Sequence, residues 1–133
     1  MSSELRFDVL VLGGGGAALR AALSACEQGA KTAILSKGEA GKSGATYYSV
    51  AEVGAFNVPD GALDPEDSPE EFYRDMEMAA LGTAQLPLCR ILAEQAESAL
   101  QYLEKISSGT VFAKEDGHFK VYQACFSTRP RSH

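Results

Sequence analysis

Gly13 and Gly15, in a run of four glycines at residues 13–16, stand with Ala18 at the spacing G-x-G-x-x-[G/A]. Each position in that spacing has a physical task. The first glycine permits a tight turn, the second lets the backbone approach a pyrophosphate, and a small sixth residue lets a helix pack on strands. Gly16 and Ala17 then carry the chain into the helix, whose free N–H groups and dipole face the negative charge. The pattern has weight only between a strand and a helix, and the flanking residues supply both. Asp8-Val-Leu-Val-Leu12 is a short apolar run, β-branched enough to read as a parallel strand with both faces covered. Ala17, Ala18, Ala21, Ala22, Leu23 and Ala25 recur at helical spacing, and Gly29 stands where a helix stop belongs. Lys31-Thr-Ala-Ile-Leu35 returns to strand character, so the whole fits the roughly 30 residues of a βαβ unit. This is the phosphate-binding turn of a dinucleotide site.

The end of the second strand is where an NAD site places Asp or Glu on the ribose. Here the residues are Ser36 and Lys37. Ser36 can bond a ribose hydroxyl, though it is a weaker acceptor than a carboxylate. Lys37 suits a 2′-phosphate and therefore NADP. A strand-end serine beside a solvated lysine explains the pair equally well, and the motif alone leaves all three readings open.

The elements that must position these residues follow from the same patterning. Residues 36–66 are rich in Gly, Ser, Pro and acids, an irregular stretch long enough to point to function or disorder. Ser68, Pro69 and Glu71 form a helix start of the capping-box type. Phe72, Met76, Ala79 and Ala80 follow at helical spacing, with Gly82 as the stop. Pro87 opens a second helix carrying Leu88, Ile91, Leu92, Ala96, Ala99, Leu100 and Leu103. Thr110-Val-Phe112 reads as strand, and Glu115-Asp-Gly-His118 as a hairpin turn leading to Phe119, Val121 and Tyr122. The fold class is α/β: a Rossmann-like βαβ unit at 6–37, a loop at 38–66, a helix pair at 67–108 and a tail at 109–133. Its parallel sheet is incomplete, because two strands leave faces and edges poorly covered. The chain therefore reads as the N-terminal piece of a larger protein.

The totals narrow the function classes. With 133 residues the chain is one domain long, and 45% hydrophobic with 23% charged residues is ordinary for a soluble protein. Net charge is −6 and the Lys and Arg residues are scattered, which argues against nucleic acid or an anionic membrane as partner. Cys26, Cys89 and Cys125 are odd in number and lack CxxC spacing, so they read as buried thiols in a reducing compartment. Neither a signal peptide nor a membrane-spanning stretch is visible, and a cytoplasmic location without membrane insertion is expected. The acids Glu70, Glu71, Asp75 and Glu77 suit a helix first turn and have no histidine beside them, so no metal site is read there. His118 reads as a surface residue, and Arg129, Arg131 and His133 as solvated charges of the tail.

Several segments taken together resemble the flavoprotein family of fumarate reductase, succinate dehydrogenase and L-aspartate oxidase. They are Asp8-Val-Leu-Val-Leu-Gly-Gly-Gly-Gly-Ala-Ala18, Ala33-Ile-Leu-Ser-Lys37, Ser43-Gly-Ala-Thr46, Ala51-Glu-Val-Gly54 and Asp67-Ser-Pro-Glu70. The resemblance implies FAD as cofactor and turns Ser36 and Lys37 towards the FAD ribose. It places Ser43, Gly44, Ala45 and Thr46 near the pyrophosphate and flavin ring, with Ala51 and Gly54 alongside the isoalloxazine. Members of membrane complexes attach FAD through a histidine in a Ser-His-Thr stretch. The loop here has none, so non-covalent FAD is expected. Hydride transfer with a small dicarboxylate is implied for the intact enzyme, with association to a further polypeptide or electron-transfer subunit. The family's substrate-binding histidine and arginine residues lie mostly beyond this length, which leaves the catalytic residues unknown. Ser127 and Arg131 faintly match the family's Gly-His-Ser…Arg segment, whose glycines and histidine are missing.

Overall fold

The computed structural model describes residues 4–45, 47, 55–123 and 125–133. They fall into two compact units, Met1–Gly54 and Ala55–His133.

In the first unit β1 (Val9–Leu12) and β2 (Thr32–Leu35) form a parallel pair in the register Val9 to Thr32 through Leu12 to Leu35. Helix α1 (Gly16–Glu27) connects them and packs on both strands. Gly29 follows its C-cap and its N–H bonds Cys26 O at 2.9 Å, closing the helix as the sequence predicts. The expectation of a strand buried on both faces does not hold within this chain. Val9 and Val11 are half-buried, whereas Leu10 and Leu12 are exposed. One helix has only one side of the pair to cover, and the alternating pleat puts every second side chain on the other.

The second unit is built on a helix pair. Helix α2 (Pro69–Ala79) starts where its sequence says, with Glu71 N–H donating to Ser68 Oγ at 3.3 Å. The Glu71 carboxylate turns to Arg74 at 2.7 Å instead of closing the box. Helix α3 (Leu86–Ile106) buries Ala93, Ala96 and Leu100 against α2. With Phe72 and Val58 these make the core, flanked by Phe56, Tyr73, Met76, Phe112 and Phe119. Leu88, Ile91 and Leu92, which share helical spacing with the core residues, are exposed. The buried stripe is set by the small alanines, which let α2 come close.

Residues 110–112 do not form the expected strand. The hairpin does form, from β3 (Lys114–Glu115) and β4 (His118–Phe119) around a two-residue Asp116-Gly117 loop. Strand β5 (Tyr122–Gln123) pairs antiparallel with β6 (Pro130–Ser132), whose other edge meets Phe56, Asn57 and Val58. The cysteines are not buried thiols: Cys26 and Cys125 are exposed and Cys89 is half-buried.

Candidate dinucleotide site

Gly13 sits at φ +120°, a backbone conformation that L side chains rarely adopt, and its N–H donates to Leu35 O at 2.9 Å. The turn is thus tied to the end of β2 as it leaves β1. Ala18 lies one turn into α1, with its Cβ 3.7 Å from the point where a Cβ on Gly13 would stand. Gly16 and Ala17 form the start of the helix beside it. Gly15 is the N-cap of α1, makes no side-chain capping bond, and is followed by no acid in the first turn. A helix start without its own carboxylate leaves its dipole available to an external anion.

The loop after β2 folds back onto this turn. Gly41 N–H donates to Gly14 O at 3.0 Å. A Cβ built on buried Gly14 would lie 2.6 Å from Ser36 Oγ and 2.7 Å from Ser43 Oγ, so both hydroxyls close over its α-carbon. Gly44, at φ +81°, rests against Gly15, and a Cβ there would be 3.2 Å from Gly15 Cα. Ser36 Oγ also accepts from Gly38 N–H at 3.3 Å. The outcome is a cleft of about 870 Å³ lined by Gly13, Gly14, Gly15, Ser36, Lys37, Gly38, Glu39, Lys42, Ser43, Gly44 and Tyr47.

Six residues singled out from sequence, Gly13, Gly15, Ser36, Lys37, Ser43 and Gly44, therefore line one cavity. Ala45 is exposed on the same loop and is not part of the lining. Thr46, Ala51 and Gly54 lie outside the described residues. Gly14, part of the glycine run read as the phosphate-binding turn, lines the cavity too, whereas Gly38, Glu39, Lys42 and Tyr47 were not singled out. The signal for Glu39 and Lys42 was their charge at a three-residue spacing, in a loop otherwise made of Gly, Ala and Ser.

The charged side chains of the tail are paired within the second unit, against the expectation of solvated charges. Arg131 is 1% exposed. Its Nε lies 3.1 and 3.0 Å from the two Asp67 oxygens, Nη2 is 2.6 Å from Asp67 Oδ1, and Nη1 is 2.6 Å from Asp75 Oδ2. Asp75 is buried on α2 and also accepts from the Thr128 N–H and hydroxyl. Burial alone would raise the Asp75 pKa, but those hydrogen bonds and the Arg131 charge outweigh it and hold the carboxyl below the usual aspartate value of 3.8. Arg129 Nη1 meets Asp64 at 2.7 Å and Glu66 at 2.9 Å, and its hydrogen bond lowers the Asp64 pKa. His133 places its ring against Phe119 and its Nε2 3.1 Å from Asp60. None of the three is a solvated tail charge. His118 is exposed, as expected of a surface residue, and among the described residues no cluster of acids, histidines and cysteines suits a metal ion.

The family model described as an FAD binding domain matches residues 8–132. The chain belongs to that family. Its cofactor is FAD, and the glycine cleft fits the group: bare backbone at the turn, a helix start with no acid in its first turn and two lysines in the lining. One of the subunits of the fumarate reductase (CoM/CoB) of Methanothermobacter marburgensis is 40% identical over 118 residues, which is 87% of this chain and 20% of that protein. The fold matches Sdh1 of Mycobacterium smegmatis, both in complex with UQ1 and in the apo form. In each the TM-score is 0.81 at 26% identity, covering 95% of this chain and 20% of that one. The chain spans about a fifth of the length of these relatives. No helix among the described residues is long and apolar enough to cross a membrane.

Proposed function

We propose that this chain is the FAD-binding segment of a flavoprotein that moves a hydride between FAD and a small dicarboxylate such as succinate, fumarate or aspartate. The observation that carries the reading is the docking of the 36–44 loop on the glycine turn, in a chain whose curated relative belongs to a fumarate reductase. FAD supplies the hydride chemistry, and the protein supplies binding, orientation and electrostatics. The α1 start and the Gly13–Gly15 backbone hold the diphosphate, Ser36 and Lys37 face the adenosine ribose, and the loop from Ser43 to Thr46 approaches the flavin with Ala51 and Gly54. The attachment is non-covalent. Gly44 occupies the loop where a linking histidine would be sought, and its close approach to Gly15 favours a residue without a side chain. Arg129, Arg131 and His133 are engaged by acids of their own unit, which supports a substrate site completed by further polypeptide.

The test is to saturate the purified chain with FAD, remove unbound flavin by gel filtration and precipitate the protein with acid. Flavin absorbance with the chain before precipitation and in the supernatant afterwards is expected. Yellow colour retained in the pellet would overturn the non-covalent reading. Stabilisation by NADP without any flavin signal would overturn the assignment to FAD chemistry. Turnover of succinate or fumarate by the isolated chain is expected to be undetectable.

A further inference from the structure

Beside the glycine turn the cleft wall carries three charged side chains, Lys37, Glu39 and Lys42. Lys37 adjoins Ser36 at the strand end, on the side that dinucleotide folds give to the ribose. Lys42 sits at the other end of the short loop. It immediately precedes Ser43 and Gly44, the residues that rest on Gly15 at the start of α1. A tight turn holds it there, with Lys42 N–H donating to Glu39 O at 3.1 Å and Lys42 Nζ 3.0 Å from Glu39 Oε1. Both side chains of that pair are more than half exposed. An exposed pair of this kind is weakly held and screened by salt, so a diphosphate competes for the lysine on favourable terms. The first turn of α1 contains no acid, so Glu39 is the one carboxylate lining the cleft among the described residues.

We infer that Glu39 and Lys42 form an exchangeable ion pair at the cofactor cleft, in which Lys42 leaves Glu39 to take the diphosphate of the bound dinucleotide. Glu39 is then an internal competitor: it keeps the lysine at the rim and weakens the affinity that lysine supplies. The inference rests on the FAD reading of the cleft and adds a residue pair to it.

The experiment titrates FAD and ADP against the full chain and its variants, by flavin fluorescence and by calorimetry respectively, at low ionic strength and in 1 M NaCl. Lys42→Gln is expected to weaken both ligands about tenfold at low salt, with most of the difference lost at high salt. Glu39→Gln is expected to act in the opposite sense and tighten both about two- to threefold. The double variant is expected to match Lys42→Gln, since Glu39 acts only through the lysine. A purely structural role would move both single variants the same way, and melting temperatures recorded in parallel identify that case. Equal affinities for Lys42→Gln and the unaltered chain, or weakening by Glu39→Gln, would overturn the inference while leaving the FAD site standing. Failure of the unaltered chain to bind either FAD or ADP would overturn both readings.

Discussion

Gly44 shows what a single position contributes to the cleft. Its φ of +81° and the 3.2 Å separation between a Cβ built there and Gly15 Cα are two independent penalties on any side chain. The first costs about 1–2 kcal/mol for an L-residue. The second sets backbone against backbone, so neither partner can yield by changing rotamer. Gly44→Ala is therefore expected to push the loop off the α1 start and weaken FAD binding by about an order of magnitude or more, read by flavin fluorescence titration. Ala45→Gly, on an exposed neighbour outside the lining, is expected to leave affinity within about twofold. Gly14 differs from Gly44. A Cβ there would meet the Ser36 and Ser43 hydroxyls at 2.6 and 2.7 Å, which can rotate away, and Ser36 Cβ at 3.2 Å, which cannot, so a methyl group also has to shift the end of β2.

At the scale of elements, β6 is the piece whose role depends on partners distant in sequence. It lies between β5 and the Phe56 to Val58 segment, with Val58 N–H donating to Arg131 O at 2.8 Å. Arg131 reaches from it to Asp67 before α2 and to Asp75 within α2, over the face of Phe72 at 5.0 Å. Removing one partner of a buried pair strands the other charge and typically costs about 3–5 kcal/mol. Arg131→Ala is thus expected to unfold the second unit at much lower urea than the unaltered chain, followed by tyrosine fluorescence. Arg131→Lys keeps the charge but cannot reproduce the bidentate contact with Asp67, so an intermediate loss is expected. An unchanged midpoint for Arg131→Ala would show that the cluster contributes nothing to folding.

For the molecule as a whole, the acids of the second unit set the pH response. Asp75 and Asp64 have pKa values lowered in the folded chain by hydrogen bonds and by Arg131 and Arg129. A depressed folded-state pKa adds stability above the unfolded-state value and loses it as pH falls through the folded one. Stability is therefore expected to hold at neutral pH and to decline below about pH 4, with Asp75→Asn lower throughout but flatter against pH. Urea midpoints between pH 7 and pH 3 check this, and a profile without slope below pH 4 would refute it.

The first unit's connectivity and its glycine turn are legible in the amino-acid order. Strand, glycine turn, helix and strand are local patterns, and Gly13, Gly15 and Ala18 sit at spacings fixed by backbone geometry. The starts of α2 and α3 and the Asp116-Gly117 hairpin were legible for the same reason. The folded chain is needed to see that the 36–44 loop folds back over Gly14 and Gly15, bringing Glu39 and Lys42 to the cleft, because nothing in a loop's composition fixes which backbone it docks on. It alone decided which helical stripe of α3 is buried, a matter of the facing helix. It also decided that Arg131 is a buried clamp, since its partners Asp67 and Asp75 lie 64 and 56 residues away. Periodicity records what a residue's neighbours along the chain demand; burial and charge pairing depend on neighbours in space.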